Sequence, residues 1–312
     1  MSQRSNVRVM TKKSLVVKDN RLIEACYRLD LSEQRLVLLA IVQAREAKLK
    51  ITADTWLEVS VKDYNAMYDL SNTTGYKLLQ TAAASLFNRY VKVNLVDEKT
   101  GKDSYLSTRW VSACHYVEDA SVVRMQIAPL MIPYISNLES KFTSYQLKNV
   151  AQMTSAYAIR LFELMMQYRA IGERYITIDE LKEFLGATGE GYARVDNFKN
   201  KVVVPAIAQI NKYTELEVSF ENRKAGRNVI GYDFRVSVKP IEKPYLPAKK
   251  TKSSASKSSP NAQGLANLER AMLRDLQEKH PDLTEKDVLQ MAKDQEKDVV
   301  IIMHEISING LA

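Results

Sequence analysis

Ser32-Glu-Gln-Arg-Leu-Val-Leu-Leu-Ala-Ile-Val-Gln43 has a counterpart later in the chain, Ser155-Ala-Tyr-Ala-Ile-Arg-Leu-Phe-Glu-Leu-Met-Met166. Shifted by 123 positions, Leu36, Leu38, Leu39, Ile41 and Val42 fall on Ile159, Leu161, Phe162, Leu164 and Met165. Both stretches have helical apolar spacing, and each opens on a serine placed to accept a bond from an orphan first-turn amide.

The match continues outward from this pair. Ser60-Val-Lys-Asp-Tyr-Asn-Ala-Met-Tyr68 runs parallel to Thr177-Ile-Asp-Glu-Leu-Lys-Glu-Phe-Leu185. In each, a hydroxyl residue is followed three positions later by an acid, the capping-box signature. Tyr64, Met67 and Tyr68 correspond to Leu181, Phe184 and Leu185, one stripe of a helix. A third helix follows in both halves, where Leu78, Leu79, Ala82, Ala83 and Leu86 match Val202, Val203, Ala206, Ile207 and Ile210. The period then changes to alternation, with Val91, Val93 and Leu95 answering Leu216, Val218 and Phe220.

Each half closes with a hairpin signal. Asp97–Lys102 precedes a strand expected over Tyr105–Tyr116, and Asn222–Asn228 precedes one over Val229–Val238. A glycine in each tip, Gly101 and Gly226, supplies the left-handed conformation of a tight return. Helix, short strand, two helices and a hairpin, twice over, predict an α+β fold of two tandem winged-helix domains related by a pseudo-repeat. Two unrelated segments would not be expected to agree in four elements, in order, with so little drift in offset.

Composition agrees with a folded, basic protein. The chain has 312 residues, 46% apolar, and carries a net charge of +8, which favours a polyanionic partner, nucleic acid before anionic membrane. Its two cysteines, Cys26 and Cys114, have no CxxC partner and suit small core positions in a reducing cytoplasm. The opening MSQRSNVRVMTKK is basic, but no apolar segment of a signal peptide follows it. No apolar run nears the ~20 residues of a membrane span, so a soluble cytoplasmic protein without membrane contact is expected.

The DNA chemistry is expected on the third helix of the second half, about Arg194 to Tyr213. Phe198, Val202, Ala206 and Ile210 take its inward face, leaving Arg194, Asn197, Lys199, Asn200 and Lys201 outward in its first turns. Arginine grips guanine and asparagine grips adenine through paired hydrogen bonds, whereas lysine supplies charge. Pro205 is expected to bend or interrupt the helix, parting a base-reading half from a packing half. A solvated surface helix is the plain alternative; against it stands the wing, where Arg223, Lys224 and Arg227 surround Gly226 with no acid nearer in sequence than Glu221.

The first half offers less charge. Asn72, Thr73, Thr74, Tyr76, Lys77 and Gln80 stand at exposed positions of its third helix, with Arg89 at the end, and Lys99 and Lys102 share their wing with Asp97, Glu98 and Asp103. The N-terminal stretch adds Arg4, Arg8, Lys12, Lys13 and Lys18, read either as an arm along the DNA backbone or as a solubilising tail.

Two blocks, Val16-Val-Lys-Asp-Asn-Arg-Leu-Ile-Glu-Ala-Cys-Tyr-Arg-Leu-Asp-Leu-Ser-Glu-Gln-Arg-Leu36 and Tyr192-Ala-Arg-Val-Asp-Asn-Phe-Lys-Asn-Lys-Val-Val-Val-Pro-Ala-Ile-Ala-Gln-Ile-Asn-Lys-Tyr-Thr214, together with the Lys-x-Gly-Arg wing ending at Arg227, resemble the iteron-binding replication initiators of plasmids. The resemblance covers about residues 14–240. It implies binding to direct repeats of double-stranded plasmid origin DNA, largely as a monomer, with opening of adjacent A+T-rich DNA. It further implies a monomer–dimer equilibrium, autorepression as a dimer, and recruitment of host initiator protein, replicative helicase and chaperones. Specific contacts would come from a second domain at 139–239, and phosphate contacts and the dimer interface from a first domain at 14–138.

The resemblance implies no enzyme, and the residues agree. The sequence has no glycine-rich loop ending in Lys-Ser/Thr to cradle a nucleotide. His115, His280 and His304 stand apart, so the paired histidines of a metal-dependent nicking site are missing, and Asp179 and Glu180 read as helix-start charges. No cofactor or metal is expected. Residues 1–13 are read as a flexible basic arm and 240–263, rich in Pro, Ser and Lys, as a flexible linker. Leu265, Leu268, Met272 and Leu276, then Val288, Met291, Val299 and Ile302 beyond Pro281, predict a helical tail over 264–312 that either folds back on the body or binds a partner. Two other functions remain compatible with these residues: a dedicated winged-helix repressor, and a partitioning scaffold whose basic surface meets acidic proteins.

Overall fold

Asp30, and not Ser32, caps the first long helix. In the computed structural model its side chain accepts the Glu33 amide at 2.8 Å, while the Asp30 amide donates to Glu33 Oε2 at 2.7 Å. The structure describes residues 13–240, apart from positions 48, 49, 98, 137, 139 and 140, together with residue 11, residues 283–294 and the isolated positions 273, 276, 277, 280 and 306. Of the basic N-terminal stretch, Arg4, Arg8 and Lys12 lie outside the described residues.

In the first half, β1 (Leu15–Asp19), the turn α1 (Asn20–Ile23) and β2 (Cys26–Tyr27) lead into α2 (Leu31–Glu46). Then follow β3 (Trp56–Ser60), α3 (Val61–Tyr68), α4 (Asn72–Leu86) and the hairpin β4 (Tyr90–Val96) with β5 (Asp103–Arg109). The single strand expected over Tyr105–Tyr116 is two. Trp110, 1% exposed and edge-on to Tyr27 at 4.9 Å, leaves the sheet for the core and ends β5. The chain resumes as β6 (Val111–Val117) and turns into β7 (Val122–Ile127). As a result the first half has two small antiparallel sheets, ordered β2-β4-β5 and β3-β7-β6.

A 3-10 turn at Pro129–Tyr134 leads to β8 (Phe142–Gln146) and the turn α5 (Lys148–Ala151), where the second half begins. It runs α6 (Ala156–Gln167), β9 (Glu173–Thr177), α7 (Ile178–Leu185), the helix α8–α9, and a long hairpin of β10 (Leu216–Ala225) and β11 (Asn228–Val238). Helix α8 (Val195–Phe198) passes through a π turn at Lys199–Val203 into α9 (Val204–Tyr213). Here β9 joins the hairpin directly in the order β10-β11-β9. The caps differ between halves. Thr177 and Glu180 make the full reciprocal box, Ser60 accepts the Asp63 amide and donates its hydroxyl to the Asp63 carboxylate, and Ser155 makes no side-chain cap bond.

One apolar core runs through both halves, and α2 and α6 lie within it, buried around most of their circumference from Leu36 to Val42 and from Ala158 to Met166. The halves are also joined by polar groups. β1 pairs antiparallel with β8, from Leu15 opposite Gln146 to Asp19 opposite Phe142. Lys18, read above as part of a solvent-facing basic stretch, is fully buried and holds Glu163 of α6 at 2.7 Å, with the Tyr145 hydroxyl donating to the same oxygen at 2.5 Å. The alternation of β1 alternates faces, but α6 covers the face that Lys18 occupies. From α2, Arg35 donates to the carbonyls of Ala151 and Met153, and from α6, Arg160 donates to those of Ala25 and Phe184 and to the Tyr27 hydroxyl. Gly186, at φ +67°, lies so close to the Tyr27 carbonyl that a Cβ would overlap it.

The C-terminal segment is a separate unit. Its described helix α10 (Glu285–Asp294) starts at Thr284, whose hydroxyl and amide both bond Asp287, and Leu273, Leu276, Leu283, Val288, Ala292 and Ile306 form a small core of their own. Leu265, Leu268, Met272, Pro281, Val299 and Ile302 lie outside the described residues. No helix among the described residues is long and apolar enough to cross a membrane.

Candidate nucleic-acid interface

The third helix of the second half runs on past Pro205 without a break. Proline has no N–H for the carbonyl four residues back, and its ring presses on that carbonyl in a regular α turn. The π turn immediately before Pro205 widens the ladder at that point and accommodates the ring, so the helix is locally loosened and not divided. Phe198, Val202, Val203, Ala206, Ile207 and Ile210 face the core.

On the opposite side, Arg194, Asn200 and Lys201 are exposed, and Asn197 and Lys199 are half-buried. Arg194 occupies the N-cap position without making a side-chain cap bond. The side chains of Asn197, Asn200 and Lys201 likewise have no hydrogen-bond or ion-pair partner among the described residues, so their polar groups are free for a ligand. Lys199 leans over the Phe220 ring at 5.6 Å, which sets the helix beside the base of the hairpin. Asn211 fastens the far end, donating to the Val218 carbonyl at 2.9 Å and accepting the Val218 amide at 2.7 Å. Tyr232, opposite Asn222 on the hairpin, lies near Asp196; burial first, then that charge, push its hydroxyl up to about 12. Asp196 is itself exposed, an acid in the first turn of this face.

The wing differs from its expected form. Ala225 pairs with Asn228, so the turn is only Gly226-Arg227, with Gly226 at φ +61°, and Arg223 and Lys224 belong to the strand, at a bulge. Nor is Arg223 free of acids. Its guanidinium holds Asp233 with both arms, Nε to Oδ2 at 3.0 Å and Nη2 to Oδ1 at 2.5 Å, and lies 3.9 Å over the Tyr175 ring. Asp233 is ten positions away in sequence but lies diagonally across the hairpin, within reach of a long side chain. Lys224 and Arg227 are exposed at the tip, with no ion-pair partner among the described residues. Arg194, Lys199, Lys201, Lys224 and Arg227 therefore supply the available positive charge, and Arg223 is largely neutralised.

In the first half, Thr73, Lys77 and Gln80 are exposed on α4. Thr74 is engaged by the Ser71 cap, accepting from its hydroxyl at 2.9 Å. Tyr76 is committed elsewhere, donating to Glu118 at 3.0 Å and packing edge-on to Tyr116. Arg89 is likewise spent on the buried Glu33, at 2.7 Å. Lys99 and Lys102 are exposed at the β4–β5 tip, where Asp97 folds the turn by accepting the Lys99 and Thr100 amides and the Thr100 hydroxyl; those bonds hold its carboxyl below the usual range.

Two exposed residues of the second-half helix have no place in the sequence analysis: Val204 and Ala208, which with Pro205 continue the outward face. Their signal was available, because placing Phe198, Val202, Ala206 and Ile210 inward leaves 204 and 208 on the other side. Among the described residues no group of three His, Cys, Asp or Glu side chains is placed to hold a metal. Cys26 and Cys114 are free, half-buried thiols; burial raises both, Cys114 to about 11.

Two such domains in series, each with its helix pair and wing, define a tandem winged-helix protein. The family description "Initiator Replication protein, WH1" matches residues 15–166, and "Initiator Rep protein, WH2" matches residues 177–236. The chain belongs to this family of DNA-binding replication initiator proteins. An uncharacterized 27.6 kDa protein of Escherichia coli is 22% identical over 228 residues, 70% of this chain and 94% of its own length. Among solved structures, the Pi initiator protein in complex with iteron DNA shares the fold, with a TM-score of 0.57 and 22% identity over 73% of this chain and 99% of that one. The WH1 domain of the replication protein MSBI1.176, isolated from a multiple sclerosis patient, is 36% identical over 37% of this chain and 86% of its own, with a TM-score of 0.31.

Proposed function

We propose that this protein binds repeated sites in a plasmid origin in a sequence-specific way and thereby initiates replication of the plasmid. One observation carries the reading: the unpartnered Arg194, Asn197, Asn200 and Lys201 stand on the outer face of a helix joined at its flank to a hairpin with Lys224 and Arg227 free at its tip. A helix of this width fits the major groove, where arginine and asparagine distinguish guanine and adenine, while lysine and arginine on a wing meet phosphates. Membership of the initiator family and the fold shared with the Pi protein support the same reading. The second domain, about 139–239, supplies the specific contacts, and the first, about 14–138, adds phosphate contacts through Lys77, Lys99 and Lys102 and a surface for self-association. For the latter, β5 has only β4 as a partner among the described residues, which leaves one strand edge for a second copy. Autorepression as a dimer, recruitment of host initiator, helicase and chaperones, and action in the cytoplasm complete the proposal.

The test is a gel-shift titration with the origin region of the plasmid that carries the gene, competed at fixed salt by unrelated duplex. Specific binding predicts stepwise complexes on direct repeats and a preference of at least about a thousand-fold over the competitor. Equal affinity for both duplexes overturns the reading. Binding to a single palindrome upstream of the gene, with none to direct repeats, assigns a repressor in its place.

A further inference from the structure

The outward face of the α8–α9 helix changes character at its midpoint. Its first half presents Arg194, Asn197, Asn200 and Lys201, and its second presents Val204, Pro205 and Ala208. Val202 and Val203 are no more than 1% exposed, yet Val204 beside them is 43% exposed. The exposed part of a branched aliphatic side chain forgoes burial, and β-branching also lowers helix propensity, so that part is left for a partner outside the fold. At 1.5 Å per residue, Val204 lies ~10 Å beyond Asn197 and Ala208 ~6 Å further, a span of about five base pairs from Asn197.

In the major groove three of the four bases present only hydrogen-bonding edges, and thymine adds a methyl group. Arginine and asparagine answer the former; a small aliphatic side chain answers the latter. We propose that Val204, with Ala208 one turn on, reads thymine 5-methyl groups, so that the recognition site carries thymine next to the bases that the Arg194–Lys201 half contacts. This rests on the origin-binding reading above and adds a base preference to it.

The test uses the full chain and a random-sequence duplex library. After selection, the enriched duplex is resynthesised with deoxyuridine in place of one thymidine at a time, which keeps every base-pair edge and removes one methyl. The wild type is expected to bind about four-fold more weakly at one or two positions, the cost of losing one buried methyl. Val204→Ala is expected to weaken binding to the parent duplex by a similar factor and to bind the deoxyuridine and thymidine forms equally at one such position, with an unchanged melting temperature. Val204→Thr, which retains a methyl, is expected to keep discrimination. Enrichment of a site at which deoxyuridine and thymidine bind alike throughout, or a penalty that persists in Val204→Ala, overturns this inference and leaves origin binding intact. Failure to enrich any sequence overturns the origin-binding reading itself.

Discussion

A side chain that meets a base edge and one that meets a phosphate fail differently when removed. Arg194→Ala and Asn197→Ala are expected to lower affinity for the specific site by about 1–3 kcal/mol and to relax preference at one position, read by competition against single-base variants. Lys224→Ala and Arg227→Ala are expected to weaken binding to all duplexes alike and to lower the slope of affinity against salt by about one ion each. Arg223→Ala should do much less to that slope, because Asp233 already offsets its charge; a slope change equal to that of Lys224→Ala would show the Asp233 pair opens on DNA. Burial holds the Cys114 thiol at about 11, so its thiolate is scarce near neutrality. Both cysteines are expected to label slowly at pH 8 in the native protein and at once after denaturation. Rapid native labelling would contradict the burial described.

Among the elements, the hydroxyl-plus-acid pattern marked the starts of α3 and α7 because a cap is a contact over three residues and needs nothing from the rest of the fold. Ser32 and Ser155 show its limit. The sequence offers Asp30 two residues before Ser32 with Glu33 in register for a box, and Ser155 occupies the right position without making the bond. Thr177→Ala is therefore expected to cost about 1 kcal/mol in a denaturant titration, and Ser155→Ala less than about 0.5 kcal/mol. The hairpin tip is equally specific, since Gly226→Ala places a Cβ at φ +61° and is expected to cost about 1–2 kcal/mol. Strand partners are a different matter. β9 joins its own hairpin while β3 pairs with β7, which lies beyond the break at the buried Trp110, and nothing in the spacing of β3 marks that choice.

For the whole molecule, the join between the halves rests on charges withdrawn from water. Lys18 and Glu163 are both fully buried at 2.7 Å, and Arg160 stands 3.9 Å from the other carboxylate oxygen, so removal of Glu163 leaves two buried cations short of their counter-charge. Glu163→Leu is expected to destabilise by about 3–5 kcal/mol, and the double variant Lys18→Met/Glu163→Leu to recover part of that loss, since Arg160 remains without its carboxylate. A single Glu163→Leu with unchanged stability would mean the pair is solvated. Tyr145 beside it is raised well above its ordinary value, by burial first and then by the Glu163 charge. An unfolded tyrosine loses its proton near pH 10 while the folded one keeps it, so the group's contribution to stability is present below about pH 10 and declines above it. Thermal melts from pH 8 to 11 should show that decline, and Tyr145→Phe should reduce it.

The repeated order of elements, the inward faces of the helices, most helix starts and the basic outward face at Arg194–Lys201 were all present in local spacing, because periodicity and capping are contacts within a few residues. Lys18, Tyr76, Arg89 and Arg223 could not be placed that way. Each looked like a free surface group, and each is claimed by a partner at least ten residues distant: Glu163, Glu118, Glu33 and Asp233. A cation's availability for DNA depends on which carboxylate the folded chain brings beside it, and that pairing exists only once distant segments have packed.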